Sequence, residues 1–269
     1  MDGIYEADLQ GVSTTTLWTL NERATEAART DSDFSDPVAV DLHSRIDYPW
    51  GKFGKPTQPA AVRAVAFDHA IRQFRQRHPD AVVVALGEGL QTSYWRLQDP
   101  SLAWYTVDLQ PVIDMREALL PEADNVHNVA LSALDRTWMD AVPAGVPTFV
   151  SAEGLLMYFT FDEVRDLVAD LAARFPGGQL AFDSIPKWFS KKTISGLKLT
   201  DDYRVPPMPT HFTVAEARAF LSTIPGIASV EEMMPRSGRL LWSSPIALKM
   251  AQWPIIKSAR PNMVLVQFD

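Results

Sequence analysis

Cysteine is absent from the 269-residue sequence. Without it the chain can form no disulfide bond, no thiolate zinc site and no cysteine nucleophile. The five histidines are scattered along the chain, and no two stand at the spacing of metal ligands. We therefore expect no metal centre.

Clusters of positive charge and long apolar runs are also missing. No four consecutive residues are all lysine or arginine, and the formal net charge is −8, which disfavours binding to nucleic-acid phosphates. No run of 18 apolar residues is present, and the first residues resemble no secretory signal. We expect a cytoplasmic protein without a membrane span and without a nucleic-acid partner.

The stretch from Asp80 to Asp108 carries the clearest pattern. Residues 81–86 are small or β-branched apolar residues, which is typical of a strand buried on both faces. A Gly-Glu-Gly turn follows at 87–89, then a helical segment at 90–97 and a second strand at 103–107 that ends on Asp108. Glycines let a ligand approach the backbone, and the carboxylate can accept hydrogen bonds from both ribose hydroxyls. The stretch predicts a nucleoside-binding half-unit. The Gly-x-Gly sequence alone is weaker evidence, because it also forms ordinary tight turns in α/β proteins.

Two residues of this stretch bear on the kind of nucleoside. A dinucleotide fingerprint has a third glycine where this chain has Thr92, and the turn carries the anionic Glu88, which would repel a pyrophosphate. The pattern favours a nucleoside without phosphates, of which S-adenosylmethionine is the most common. An NAD(P)-dependent oxidoreductase on the same kind of sheet remains the alternative.

Strands and helices alternate on both sides of this unit. The predicted strands are 81–86, 103–107, 126–130, 148–152, 179–184, 227–233 and a last strand 263–268 that closes the sheet; the predicted helices are 13–29, 38–46, 60–77, 90–97, 110–120, 161–175, 187–199 and 213–223. Residues 240–256 are apolar and irregular. This alternation predicts an α/β fold with a doubly wound, mostly parallel sheet. We predict one domain over residues 1–269, with a helical N-terminal cover (1–78) on an α/β core (79–269).

Open parallel sheets bind ligands where their strands end. Distinctive groups follow four predicted strands: the glycine turn, Asp108, the segment Ser132 to Asp135, and Glu153. Each also has an ordinary interpretation, because Asp108 could only cap the next helix, Glu153 could pair with a surface base, and the 132–135 segment could be a plain loop.

Several longer segments resemble one family. They are GEGLQTSYWRL, YTVDLQPVIDMREALLP, SALDRTWMD, and above all SAEGLLMYF followed by FDEVRDLV, together with the N-terminal GVSTTTLWTLNERATEAART and FSDPVAVDL. They resemble the leucine carboxyl methyltransferase family, including its bacterial branch of polyketide O-methyltransferases of the tetracenomycin type. The resemblance spans residues 11 to about 184 and is weak beyond.

The resemblance implies a class I methyltransferase fold (Rossmann-like) with S-adenosylmethionine as the methyl donor. Asp108 would bind the ribose, Glu153 would lie near the donor's amino group, and Arg63 would pair with the methionine carboxylate. Ser132 stands where relatives have aspartate, and Gln91 where they have an acid in the glycine turn, so both positions depart from the family pattern. The implied cofactor-binding residues are Arg63, Gly87, Glu88, Gly89, Asp108, Leu109, Ser132, Ala133, Glu153 and Gly154.

The implied reaction is methyl transfer to a hydroxyl or carboxylate oxygen of a small molecule, such as a polyketide-like metabolite. Segments after residue 185 would form the acceptor side. A carboxylate acceptor needs no base, whereas a hydroxyl would need one, and Tyr158, His211 and Asp183 are the candidates. Aromatic residues that could line an acceptor pocket, or belong to the core, are Trp18, Tyr94, Trp95, Tyr158 and Trp188. A non-catalytic protein that binds S-adenosylmethionine is a further alternative.

Overall fold

A computed structural model describes residues 5–7, 9–235, 238–239, 253 and 259–269. Within these ranges a central sheet of seven strands forms the middle layer of the molecule. The strands are β1 (Val82–Leu86), β2 (Trp104–Asp108), β3 (Val126–Ala130), β4 (Thr148–Ala152), β5 (Gln179–Ser184), β6 (Ile227–Met233) and β7 (Asn262–Phe268).

The order of strands across the sheet is β6-β7-β5-β4-β1-β2-β3. β1 pairs in parallel with β2 on one side and with β4 on the other, so the strand order reverses at β1. β7 is antiparallel to both of its neighbours. The predicted fold class, a doubly wound and mostly parallel sheet, is confirmed.

Helices cover both faces of this sheet. They are α1 (Thr15–Ala27), α2 (Pro37–Arg45), α3 (Pro59–Arg77), α4 (Ser93–Leu97), α5 (Gln110–Leu119), α6 (Phe161–Arg174), α7 (Lys187–Ile194) and α8 (Val214–Leu221). Successive residues of a strand point to opposite faces: Val84 packs in a core with Leu167 of α6, whereas Val83 packs with Phe67 of α3. Burial on both faces explains why β1 is apolar throughout.

The helices before β1 form a cluster of their own. α1 packs against α2 and α3, and Leu17 and Leu20 of α1 are fully buried.

Short two-stranded ribbons pair Tyr5–Glu6 with Ile46–Asp47 and Lys198–Thr200 with Tyr203–Arg204. None of the helices in the described ranges has the length and apolar sequence that crossing a bilayer would require. The division into a cover and a core within one domain stays a prediction.

Three predicted elements differ from the structure. The last strand does not close the sheet at its edge, because the more apolar β7 lies inside and β6, which carries Ser229 and Glu231, forms the edge. The helix predicted over 187–199 ends at Ile194, because Gly196 has a φ of +87°. The helix predicted over 90–97 begins only at Ser93. The 240–256 segment falls outside the described residues except for residue 253.

Candidate functional site

A cavity of about 310 Å³ lies where β1, β2 and β4 end. The sequence assigned ten residues to a cofactor site, and all ten lie on the wall of this one cavity: Arg63, Gly87, Glu88, Gly89, Asp108, Leu109, Ser132, Ala133, Glu153 and Gly154. The volume falls at the lower end of the range of roughly 300–1,000 Å³ that is usual for small-molecule sites. That these residues contact a cofactor stays a prediction, but their convergence is a fact of the fold.

The N-terminal helix supplies part of the wall that the sequence did not predict. Thr15, Thr16 and Thr19 of α1 line the cavity, while Leu17 and Leu20 face the core. A threonine-rich face opposite an apolar stripe is visible in the sequence, but nothing there shows that this face meets the glycine turn.

Asp108 at the end of β2 holds the glycine turn at the end of β1. One carboxylate oxygen accepts a hydrogen bond from the backbone N–H of Gly89 at 2.7 Å, and the other accepts one from Leu109 at 2.7 Å. Burial raises the pKa of Asp108, although both backbone N–H groups and Arg116 act in the opposite direction. The remaining acceptor sites of this carboxylate suit a pair of vicinal hydroxyls.

The rest of the turn is held by side chains of the helices. Arg116 of α5 donates to the carbonyl of Gly89 at 2.6 Å, and Arg23 of α1 donates to the carbonyl of Leu90 at 2.7 Å. The N–H of Leu90 donates to the hydroxyl of Thr16 at 2.6 Å. These bonds explain why α4 starts late, since residues 89–91 make tertiary contacts in place of a helical turn.

Glu88 faces inward from the turn. Its Oε2 accepts hydrogen bonds from Thr106 at 2.5 Å and Trp104 at 3.1 Å, and it lies 3.0 Å from Nη2 of Arg116. Burial raises the pKa of Glu88, although the charge of Arg116 lowers it. Because Arg116 lies this close, the repulsion of a pyrophosphate expected from the sequence is smaller than a free carboxylate would give. The contacts of Glu88 support the shape of the turn.

Arg63 of α3 forms a second polar centre at the end of β4. Its Nε donates to Oε1 of Glu153 at 2.9 Å, and its Nη1 donates to Oδ2 of Asp183 at 2.8 Å. Gln91 donates to the same oxygen of Glu153 at 2.5 Å. Burial lowers the pKa of Arg63, but the charges of Asp183 and Glu153 outweigh it and the pKa is raised. Gln91 thus adds a hydrogen-bond donor for Glu153.

The opposite end of the cavity is mostly apolar. Leu109, Val112, Leu131 and Ala133 line it, which suits a flat base. The hydroxyl of Ser132 accepts a hydrogen bond from the N–H of Leu134 at 3.2 Å, so it stabilises its own loop. Asp135, at the end of the same segment, instead caps a short helix by accepting from the N–H of Thr137 at 3.1 Å.

The three candidate bases lie in different surroundings. Tyr158 is on the cavity wall, and burial raises the pKa of its hydroxyl to about 12. Asp183 is held by Arg63. His211 is not among the described residues of the cavity wall and packs edge-on against Phe161, with ring centres 5.6 Å apart. The structure gives none of these groups the surroundings of an activated base.

Most aromatic candidates belong elsewhere in the described part of the chain. Trp18 packs against Tyr203 with ring centres 6.1 Å apart, and Tyr94 packs against Trp104 at 6.1 Å. Trp95 and Trp188 are also not on the wall of the cavity as far as the structure describes it. Tyr158 is the one of the five aromatic candidates that the described wall includes.

Comparisons with known proteins agree with this geometry. A family model described as leucine carboxyl methyltransferase matches residues 16–172. The tetracenomycin polyketide synthesis O-methyltransferase TcmP of Streptomyces glaucescens is similar, with 29% identity over 94% of this chain and 88% of that protein. The S-adenosyl-L-methionine-dependent methyltransferase dpfgK of Gibberella zeae is 27% identical over 91% of each chain.

Among solved structures, the small RNA methyltransferase HEN1 has a similar fold. Its TM-score is 0.51 at 15% sequence identity, over 77% of this chain and 25% of that one. At this identity the likeness concerns the fold alone.

Proposed function

The chain belongs to the leucine carboxyl methyltransferase family and is an S-adenosylmethionine-dependent methyltransferase, and from this premise we propose that it methylates an oxygen atom of a small molecule. One observation supports the proposal most: an arginine, a strand-end aspartate and a glycine turn, assigned from separate parts of the sequence, line one cavity.

The residues of the cavity fit the methyl donor. Asp108 would accept hydrogen bonds from the ribose hydroxyls, the apolar wall around Leu109 and Ala133 would take the adenine, and Arg63 would bind the methionine carboxylate through its planar fork. Gly154 stands where its backbone lies against Arg63, since a Cβ there would come within 3.3 Å of Nη2. When bound, S-adenosylmethionine supplies a methyl group on a sulfonium, and the protein aligns it with the acceptor and excludes water.

The surroundings of the candidate bases support an acceptor that ionises by itself. Tyr158 is a neutral phenol near pH 7, and burial, which raises its pKa to about 12, makes it harder still to ionise. Asp183 is bound to Arg63, and His211 is not among the described residues of the cavity wall. A carboxylic acid or an acidic phenol loses its proton in water without help from the enzyme. We therefore favour such an acceptor over an aliphatic alcohol.

The relatives support a secondary metabolite as the acceptor. The name of TcmP describes a polyketide O-methyltransferase, and its similarity extends over almost the whole chain. We propose a polyketide-like aromatic molecule with an acidic oxygen as the acceptor. A cytoplasmic location and the absence of a nucleic-acid partner stay predictions.

The test is methyl transfer from labelled S-adenosylmethionine to matched aromatic acceptors. Naphthoic acids, 4-nitro-1-naphthol and naphthylmethanols would be compared by mass spectrometry, with Asp108→Ala as the inactive control. We expect product from the acids or the nitronaphthol, lost in the variant. Donor binding without turnover of any acceptor would favour a non-catalytic protein, and binding of NADH but not of S-adenosylhomocysteine would favour the oxidoreductase alternative.

A further inference from the structure

Asp183, at the carboxyl end of β5, is a buried acid whose two oxygens serve two neighbours. Its side chain is 7% exposed. Oδ2 accepts a hydrogen bond from Nη1 of Arg63 at 2.8 Å, and Oδ1 accepts one from the backbone N–H of Gly154 at 2.5 Å. The aspartate therefore joins the arginine of α3 to the turn that follows β4.

The guanidinium of Arg63 is fixed on two of its edges. Glu153 occupies Nε and Asp183 occupies Nη1, while Nη2 has no hydrogen bond to the described part of the chain. The side chain of Arg63 keeps 20% of its surface exposed, and it lies on the cavity wall. The donors left over by the two acids are thus the ones available to a ligand in the cavity.

A free arginine side chain has many rotamers, and holding it in one costs conformational entropy when a ligand binds. The two acids hold Arg63 in place beforehand. With Glu153 alone, the guanidinium plane could still rotate about the hydrogen bond between Nε and Glu153. A second carboxylate, bound to Nη1, fixes the orientation of that plane. Asp183 supplies this second contact.

We propose that Asp183 is a positioning residue, which fixes the guanidinium of Arg63 so that its remaining N–H groups meet the methionine carboxylate of the donor. This inference depends on the proposed function of the cavity. It assigns Asp183 a task other than proton abstraction, because both carboxylate oxygens already accept hydrogen bonds.

The test compares two ligands that differ in the methionine part. S-adenosylhomocysteine carries the carboxylate, whereas 5′-methylthioadenosine has the same nucleoside without it. We expect Asp183→Asn to weaken the binding of S-adenosylhomocysteine about tenfold, the effect of losing a hydrogen bond to a charged group. Binding of 5′-methylthioadenosine should change less than about twofold, since it does not reach Arg63. Titration calorimetry measures both.

Two control variants separate this effect from general damage. Asp108→Asn should weaken both ligands, because it acts on the ribose that they share. Asp170→Asn should change neither, since Asp170 pairs with Arg136 on the surface. If Asp183→Asn does not fold, Asp183→Glu keeps the charge at a changed distance and should show the same preference for weakening S-adenosylhomocysteine.

Three outcomes would overturn the inference. Equal weakening of both ligands by Asp183→Asn would make Asp183 a general support of the fold, and unchanged binding of S-adenosylhomocysteine would show that Arg63 needs no second acid. If the unaltered protein bound neither ligand, the proposed function would fail as well. The first two results leave the proposed function standing.

Discussion

At the scale of single residues, Asp108 both shapes the glycine turn and is expected to bind the ribose. Its carboxylate holds the N–H groups of Gly89 and Leu109. The same charge is needed for both tasks, so protonation would weaken the turn and the ligand together.

The raised pKa of Asp108 predicts a pH dependence of donor binding. Burial places the pKa above its ordinary value, which is about 3.9 for aspartate. As the pH falls, the carboxyl therefore takes up its proton earlier than a free aspartate, and the affinity for S-adenosylhomocysteine should begin to fall above pH 4. Calorimetry from pH 8 downwards measures this, and Asp108→Asn should lose that part of the pH dependence. Identical pH profiles for both proteins would contradict the assignment.

Substitution of Gly89 by alanine should affect stability and donor affinity more than the addition of one methyl group suggests. It has a φ of +58°, and a Cβ there would lie 2.1 Å from Oγ1 of Thr16. Gly89→Ala should break the hydrogen bond that the N–H of Leu90 donates to the hydroxyl of Thr16, and it should lower both the melting temperature and the affinity for the donor. Gly145→Ala is the matched control, because Gly145 also has a positive φ, +75°, but open space around it. That control should cost only backbone strain, about 1 kcal/mol.

The second change that tests Gly89 is Thr16→Ala, which removes the hydroxyl that a Cβ would meet. The double variant Gly89→Ala, Thr16→Ala should be less damaged than the sum of the two single variants. Effects of Gly89→Ala and Gly145→Ala that were equal in thermal melts would argue against the close contact.

At the scale of elements, Asp36 joins the N-terminal helices to the segment after the glycine turn. It caps α2 by accepting a hydrogen bond from the N–H of Ala39 at 3.0 Å, and a proline follows it at the first helical position. Its other oxygen accepts hydrogen bonds from the hydroxyl of Thr92 at 2.6 Å and from Nη1 of Arg96 at 2.7 Å. Asp36 and Arg96 are almost fully buried.

Removing this carboxylate should destabilise the protein strongly. Asp36→Ala leaves the buried Arg96 with fewer partners, and such a loss typically costs about 3–5 kcal/mol. Urea unfolding measures the change in the free energy of unfolding. Asp41→Ala is the control, since its pair with Arg45 is exposed and should contribute less than about 0.5 kcal/mol. Similar losses in the two variants would show that the buried network contributes little.

The bounds of elements were predictable wherever local signals decide them. Thr160 and Glu163 form a capping box at the start of α6, which is a start signal that lies within four residues of the sequence. Where tertiary contacts decide, the sequence failed. Residues 90 and 91 carry a helical pattern, yet their backbone groups form hydrogen bonds with Thr16, Arg23 and Arg116, which lie far away in the chain.

At the scale of the whole molecule, β7 shows which features of the sheet a single sequence predicts and which it does not. The strand itself was predicted, but its place between β5 and β6 was not. Five of its seven residues are buried and none is exposed, whereas β6 exposes Glu231 and Ser229. This contrast in polarity distinguishes the inner strand from the edge strand. It can be used only when both strands are already known to belong to the same sheet.

The candidate site likewise has a part that the sequence predicts and a part that it does not. Its strand-end residues were predictable, because parallel strands bring their ends to one edge. The partners of Arg63 were not, since Arg63 lies on α3, Glu153 directly after β4 and Asp183 on β5, and no local pattern links them. The threonine face of α1 was missed for the same reason.

The most direct test of the account is a crystal structure of the protein with S-adenosylhomocysteine. We expect the ribose hydroxyls on the carboxylate of Asp108, the adenine between Leu109 and Ala133, and the methionine carboxylate on Arg63, still held by Glu153 and Asp183. A ligand bound in another cavity, or one in this cavity whose ribose makes no contact with Asp108, would contradict the account.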